Sequence, residues 1–144
     1  MKNPESVYSL VRLIDACTQC RQMFHATSVT HTDATLRQLM EKIEQRLEEF
    51  GIELRNEVRQ MGRRTVMSVI EDFRSFPFER LSAESATDAL WQVLDWYDQA
   101  LKAELSSEAR STIARQHDDL QQSYAVLAKK RNQEPQEAQE AQEH

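Results

Sequence analysis

Three observations make this sequence read as an all-α domain, a bundle of four helices. Only 2 of its 144 residues are glycine, which leaves little material for phosphate-cradling loops, nucleophile elbows or primed hairpin turns, whose backbone conformations a Cβ disfavours. Ala, Leu, Glu, Gln and Arg are abundant, and these residues lose little freedom in a helix. Apolar residues recur at the helical period of about 100° per residue. At this length folding removes about two thirds of the chain's surface from water, so the core needs neither disulfide nor metal.

The first helix is expected over about residues 5 to 28, where Val7, Leu10, Val11 and Ile14 begin a stripe that shifts toward Leu13, Cys17, Cys20 and Phe24. The clearest helix spans Leu36 to Met61: Leu36, Leu39, Met40, Ile43, Leu47, Phe50, Leu54, Val58 and Met61 share one face. Thr32 or Asp33 can cap its exposed N–H groups, and Arg59, Arg63 and Arg64 meet its negative end beside Gly62. A third helix, about Glu84 to Glu104 with Ser82 or Ser85 as cap, carries Ala86, Leu90, Val93, Tyr97, Ala100 and Leu101. The fourth, about 107 to 131 with Ser106 or Ser107 as cap, buries Ala109, Ile113, Leu120, Tyr124 and Leu127 and ends in Lys129, Lys130 and Arg131.

The links within each helix pair are short, whereas Gly62 to Ala83 is too long for a plain turn. Val66, Val69, Ile70 and Phe73 recur there at helical spacing, which predicts a short crossover helix ended by Pro77. Two hairpins joined by a long crossover fit the ferritin-like version of the four-helix bundle better than the simple up-down version. Residues 1–131 form this domain. The tail, 132–144, repeats Gln-Glu-Ala without an apolar stripe and is expected to be disordered.

The formal charge of −6 includes Glu134, Glu137, Glu140 and Glu143 of that tail, so the body carries only −2. Without a basic field, nucleic acid is not an expected partner. No apolar run approaches the ~20 residues of a membrane span, and MKNPES lacks the features of a signal peptide. A cytoplasmic protein with no membrane association is expected, and the two cysteines suit a reducing compartment.

Four groups of residues could carry chemistry. Cys17 and Cys20 form a C-x-x-C spacing, but a redox motif needs a thiol near a helix N-terminus. Here both lie in mid-helix, where buried packing is the expected role. Zinc would need further thiols or well-spaced histidines, and no second C-x-x-C occurs. A bundle core can hold two metal ions through one Glu from each of two helices and a Glu-x-x-His pair from each of the others, yet Glu-x-x-His is absent. Glu53 and Glu57 line one edge of the second helix, Glu104 lies near the end of the third, and His117 falls within the stripe of the fourth. On the first helix Thr18, Arg21 and His25 continue the line of Ile14. His117 is either a metal ligand or a partly buried donor to a neighbouring Glu or carbonyl. Glu53 and Glu57 either bind metal, pair with Arg21 or Arg55, or border the core. An inward Arg21 would repel a cation and can neutralise a carboxylate. Finally, Phe73, Phe76, Phe78, Trp91 and Trp96 gather around the crossover, with Trp91 opposite the third helix's stripe. Either the crossover covers Trp91, or it belongs to an exposed patch for self-association or a protein partner.

LIDACTQCRQMFHATS in the first helix, EEFGIELRNEVRQMG in the second, YDQAL in the third and ARQHDDLQQSY in the fourth resemble, over Leu13 to Arg131, a branch of ferritin-like bundles among bacterial proteins of unknown function. The resemblance implies the crossover bundle, and some members keep ferritin-type carboxylate and histidine positions. Glu53 and Glu57 match those positions. The family's Asp-Gly-x-x-Gly is Thr18-Gln19-Cys20-Arg21-Gln22 in this chain, its acidic positions ahead of Tyr97 are Thr87 and Leu90, and its fourth-helix histidine is Tyr124. The favoured expectation is a non-catalytic bundle without cofactor that acts by forming a homo-oligomer or binding a protein partner. The alternative is an iron, manganese or zinc site built from Glu53, Glu57, His25 and His117.

Overall fold

The computed structural model describes residues 4–62 and 81–143, with side chains over 6–62 and 81–130. Among the described residues there are four helices: α1 (Pro4–Ser28), α2 (Ala34–Arg59), α3 (Ala86–Leu101) and α4 (Ser107–Glu143). At the starts of α2, α3 and α4, side chains take up N–H groups that the helix leaves unpaired. The Asp33 carboxylate accepts from the N–H of Thr35 at 2.9 Å and of Leu36 at 3.1 Å. Ser85 accepts from Asp88 N–H at 3.2 Å, and Ser106 from Ala109 N–H at 3.1 Å. At the end of α3, Arg110 donates to the carbonyls of Leu101 at 2.6 Å and Ala103 at 2.9 Å. One guanidinium thus closes the turn between α3 and α4.

The apolar stripes meet in a single core. From α1 it takes Val7, Leu10, Leu13, Cys17, Cys20 and Phe24; from α2 it takes Leu36, Met40, Ile43, Leu47, Phe50, Leu54 and Val58. Leu90, Val93, Leu94, Trp96 and Tyr97 of α3 and Ile113, Leu120 and Leu127 of α4 complete it. Val11, Ile14, Leu39, Leu101 and Tyr124, expected on the stripes, are partly buried against its edge.

Contacts define the order of helices around the core. α1 lies against α2 and α3, and α4 against α2 and α3, whereas among the described residues no Cα of α2 comes within 8 Å of one in α3. Every touching pair is antiparallel. Ser6 near the start of α1 donates to the Glu104 carbonyl just beyond α3, and further along α1 Cys17 meets Tyr97. Arg46 binds Asp119 and Glu57 binds Thr112, so α4 descends as α2 rises. Since α2 and α3 are both antiparallel to α1, they run parallel on the diagonal, and the end of α2 and the start of α3 lie at opposite ends of the bundle. A connection between them has to travel its length.

Helix bounds shift from expectation. α2 runs Ala34–Arg59 in place of Leu36 to Met61. α3 begins two residues later, because Ser85 takes the cap while Ser82 donates its N–H to Gln92, and it ends at Leu101, which leaves Glu104 beyond it. α4 continues to Glu143 instead of stopping at 131, as Gln, Glu and Ala carry helical preference past the last apolar layer at Leu127. The expected crossover helix, Phe73, Phe76, Phe78 and the stop at Pro77 lie outside the described residues. No helix among the described residues is long and apolar enough to cross a membrane.

Candidate functional site

The centre of the bundle holds a buried polar chain that joins all four helices. Tyr97 on α3 donates its hydroxyl to Gln116 Oε1 on α4 at 2.7 Å. That uses the single phenolic proton, so the Cys17 thiol on α1, 3.5 Å away, is the donor in the contact between Sγ and the Tyr97 oxygen. Gln116 in turn donates through Nε2 to the Phe50 carbonyl on α2 at 3.4 Å, an acceptor with two lone pairs. Gln116 is 0% exposed. Among the described residues no buried side-chain nitrogen or oxygen lacks a partner.

Burial holds this chain neutral, since removing a charge from water costs far more than removing a neutral polar group. Desolvation pushes the Cys17 thiol up to about 11, against the opposing effects of the Tyr97 hydrogen bond and the Arg55 charge. Cys20 is raised as well, by desolvation first and by Cys17 second. Tyr97 is raised by desolvation, then by its neighbours Cys17, Glu53 and Cys20. Both thiols are buried and free. They are packed thiols in mid-helix, and desolvation outweighs the Tyr97 and Arg55 contributions that favour the Cys17 thiolate.

The four candidate metal ligands are dispersed into separate pairs. Glu53 is bound to Arg115 of α4, and Glu57 accepts from the Thr112 hydroxyl at 3.2 Å. Neither bonds Arg21 or Arg55, so the expected neutralisation from α1 or from within α2 is replaced by partners on α4. His25 is 64% exposed and its Nδ1 lies 2.9 Å from Glu44; the line through Ile14 and Arg21 has rotated out of the core by that point. His117 Nε2 lies 3.1 Å from Asp98. The described residues contain no group of three or more His, Cys, Asp or Glu that could hold a metal ion. Arg21, half-buried, lines a crevice of about 110 Å³ between α1 and α2, with Thr18, Gly51 and Arg55.

The tryptophans part company. Trp96 is 5% exposed, packed between α1 and α3 with the Arg12 guanidinium 4.4 Å above its ring. Trp96 thus lies apart from the exposed Trp91: α3 is buried on a broader face than its stripe implied, because α1 and α4 flank it. Trp91 is 60% exposed and rests on Tyr124 of α4, ring centroids 5.2 Å apart and tilted by 41°. The two rings line an open groove of about 760 Å³ between α3, α4 and residues 82–84. Glu84, Asp88, Asp95 and Asp98 also line it, and no Lys or Arg does among the described residues.

Sequence reasoning missed Gln116 and the acidity of the groove. Gln116 lies between Ile113 and Leu120 at a stripe position that the spacing leaves equally open to His117. Asp88, Trp91, Asp95 and Asp98 follow one another by three or four residues, which places them along one edge of a helix. No protein-family model, curated protein or solved structure matches the chain.

Proposed function

We propose that this chain is a non-catalytic, ferritin-like helical bundle that acts by associating with another protein chain through the groove between α3 and α4. The carrying observation is Trp91, a large aromatic that remains mostly exposed in the folded chain while its neighbour Tyr124 supports it from below. Trp and Tyr anchors in a concave, partly apolar site are the residues from which interfaces draw most of their binding energy. The ferritin-like reading draws on the parallel diagonal of α2 and α3 and the long connection it requires. Support for a non-catalytic role comes from the bundle centre, where Tyr97, Gln116 and Cys17 satisfy one another.

Site-specific photo-crosslinking in the producing cells tests the association. With a photoreactive amino acid in place of Trp91, covalent adducts to a second chain are expected; with the same amino acid in place of exposed Arg37 on α2, they are not. Absence of adducts from position 91, together with a monomeric mass by light scattering, removes this reading.

A further inference from the structure

We infer that the occupant of the groove is a basic segment of a partner protein, with an arginine guanidinium laid on the Trp91 ring and flanked by the carboxylates of α3. The inference rests on the proposed association and names the chemistry of its partner. Asp88, Trp91, Asp95 and Asp98 form a line along α3 that extends about 15 Å at the helical rise. Glu84 continues the acidic rim beyond the start of the helix. Their four carboxylates outnumber the net charge of −2 carried by the chain before its last eleven residues. Among the described residues that line the groove there is no Lys or Arg, so this face is acidic.

Among the described residues little offsets that charge. Asp98 meets His117 at 3.1 Å and Asp95 accepts the Gln99 amide at 2.9 Å, whereas the side chains of Asp88 and Glu84 have no partner among the described residues. Elsewhere on the same helix the molecule already uses the proposed contact, where Arg12 stacks on Trp96. A planar guanidinium pairs with an aromatic face and with carboxylates at once, which a lysine ammonium does less well. A second copy fits poorly, because a two-fold contact through this groove would set four carboxylates against four others.

The test uses the full chain and a fluorescein-labelled twelve-residue peptide with four arginines spaced by three and four residues among Ala and Gln, read by anisotropy. Saturable one-to-one binding is expected, weaker for the lysine analogue and absent for the glutamate analogue. Both Asp88→Asn/Asp95→Asn and Trp91→Leu should weaken it at least tenfold. Glu41→Gln/Glu48→Gln, which removes the same charge from an exposed part of α2, should leave it unchanged. Absence of binding, or equal weakening by the α2 pair, overturns the inference. So does a doubled mass in light scattering that Trp91→Leu abolishes, which would make a second copy the occupant. In each case adducts from position 91 still stand if the association reading is right, so the two failures are told apart.

Discussion

The centre of the bundle and the groove on its flank use similar residues to opposite ends. In the centre a tyrosine, a glutamine and a thiol are withdrawn from water, and each polar atom meets another of the same molecule. In the groove a tryptophan, a tyrosine and four carboxylates face solvent, and much of their bonding capacity is unused among the described residues. Polar groups that are mutually satisfied specify how helices align, because sliding α4 by one turn would strand Gln116 from both Tyr97 and Phe50. Unsatisfied groups at a surface are free to recognise something else. Substitutions should separate the two regions cleanly.

The largest effect is expected at the centre. Tyr97→Ala should lower stability by about 3–5 kcal/mol, from the cavity left by a buried ring, with the loss of Gln116's partner added; urea unfolding measures it. Tyr97→Phe keeps the ring and removes only the hydroxyl, for an expected loss of about 1–3 kcal/mol from the stranded amide. Tyr97→Phe/Gln116→Leu should cost less than the two single changes summed, because neither member of the Tyr97–Gln116 bond then strands the other. Additive costs would show that the chain does not act as a unit.

Raising the pH should weaken the same region. The unfolded Cys17 thiol ionises near 9.0, while burial holds the folded one neutral to about 11, so the folded state retains a proton that the unfolded state loses. Stability is therefore intact below pH 9 and falls between about 9 and 11, by up to about 1.4 kcal/mol per pH unit for this thiol. The urea midpoint of Cys17→Ala should fall less steeply over that window.

At the groove, Trp91→Ala should cost only about 0.5–1 kcal/mol, the worth of its stacking on Tyr124, while it abolishes association. A fold-level loss comparable to that of Tyr97→Ala would place Trp91 in the core instead. An effect of similar size and opposite sign is expected at Gly51, within α2. A Cβ added there meets nothing within 4 Å, so Gly51→Ala should stabilise the helix by about 0.5–1 kcal/mol in thermal or urea unfolding.

How far the sequence revealed this comparison follows from what each region depends on. The stripes of α2 and α4 were legible because burial there recurs with the helical period, and the caps at Asp33, Ser85 and Ser106 followed from short polar side chains just ahead of those stripes. Gln116 and His117 were not separable by that means, since they differ by one residue and only the position of α3 decides which faces Tyr97. The pairing of Glu53 with Arg115, 62 residues away, depends on α2 and α4 being neighbours, and no local pattern encodes that. Trp96 showed the same limit: a face flanked by two helices buries more than its stripe. The carboxylate line beside Trp91, by contrast, is present in the spacing, although exposed acids on a helix edge look locally the same whether or not they rim a groove.

The direction of the helices bears on the field around the molecule. With every neighbouring pair antiparallel, α1 and α4 run one way and α2 and α3 the other, so their macrodipoles oppose and each positive helix end sits beside a negative one. The bundle has no strong electrical axis along its length. Approaching molecules sense charge on its sides, and there the long edge of α3 presents Asp88, Asp95 and Asp98 to a groove that no Lys or Arg lines among the described residues. A cationic chain would accordingly be oriented across the flank of the barrel of helices before it touched Trp91, with salt slowing its arrival.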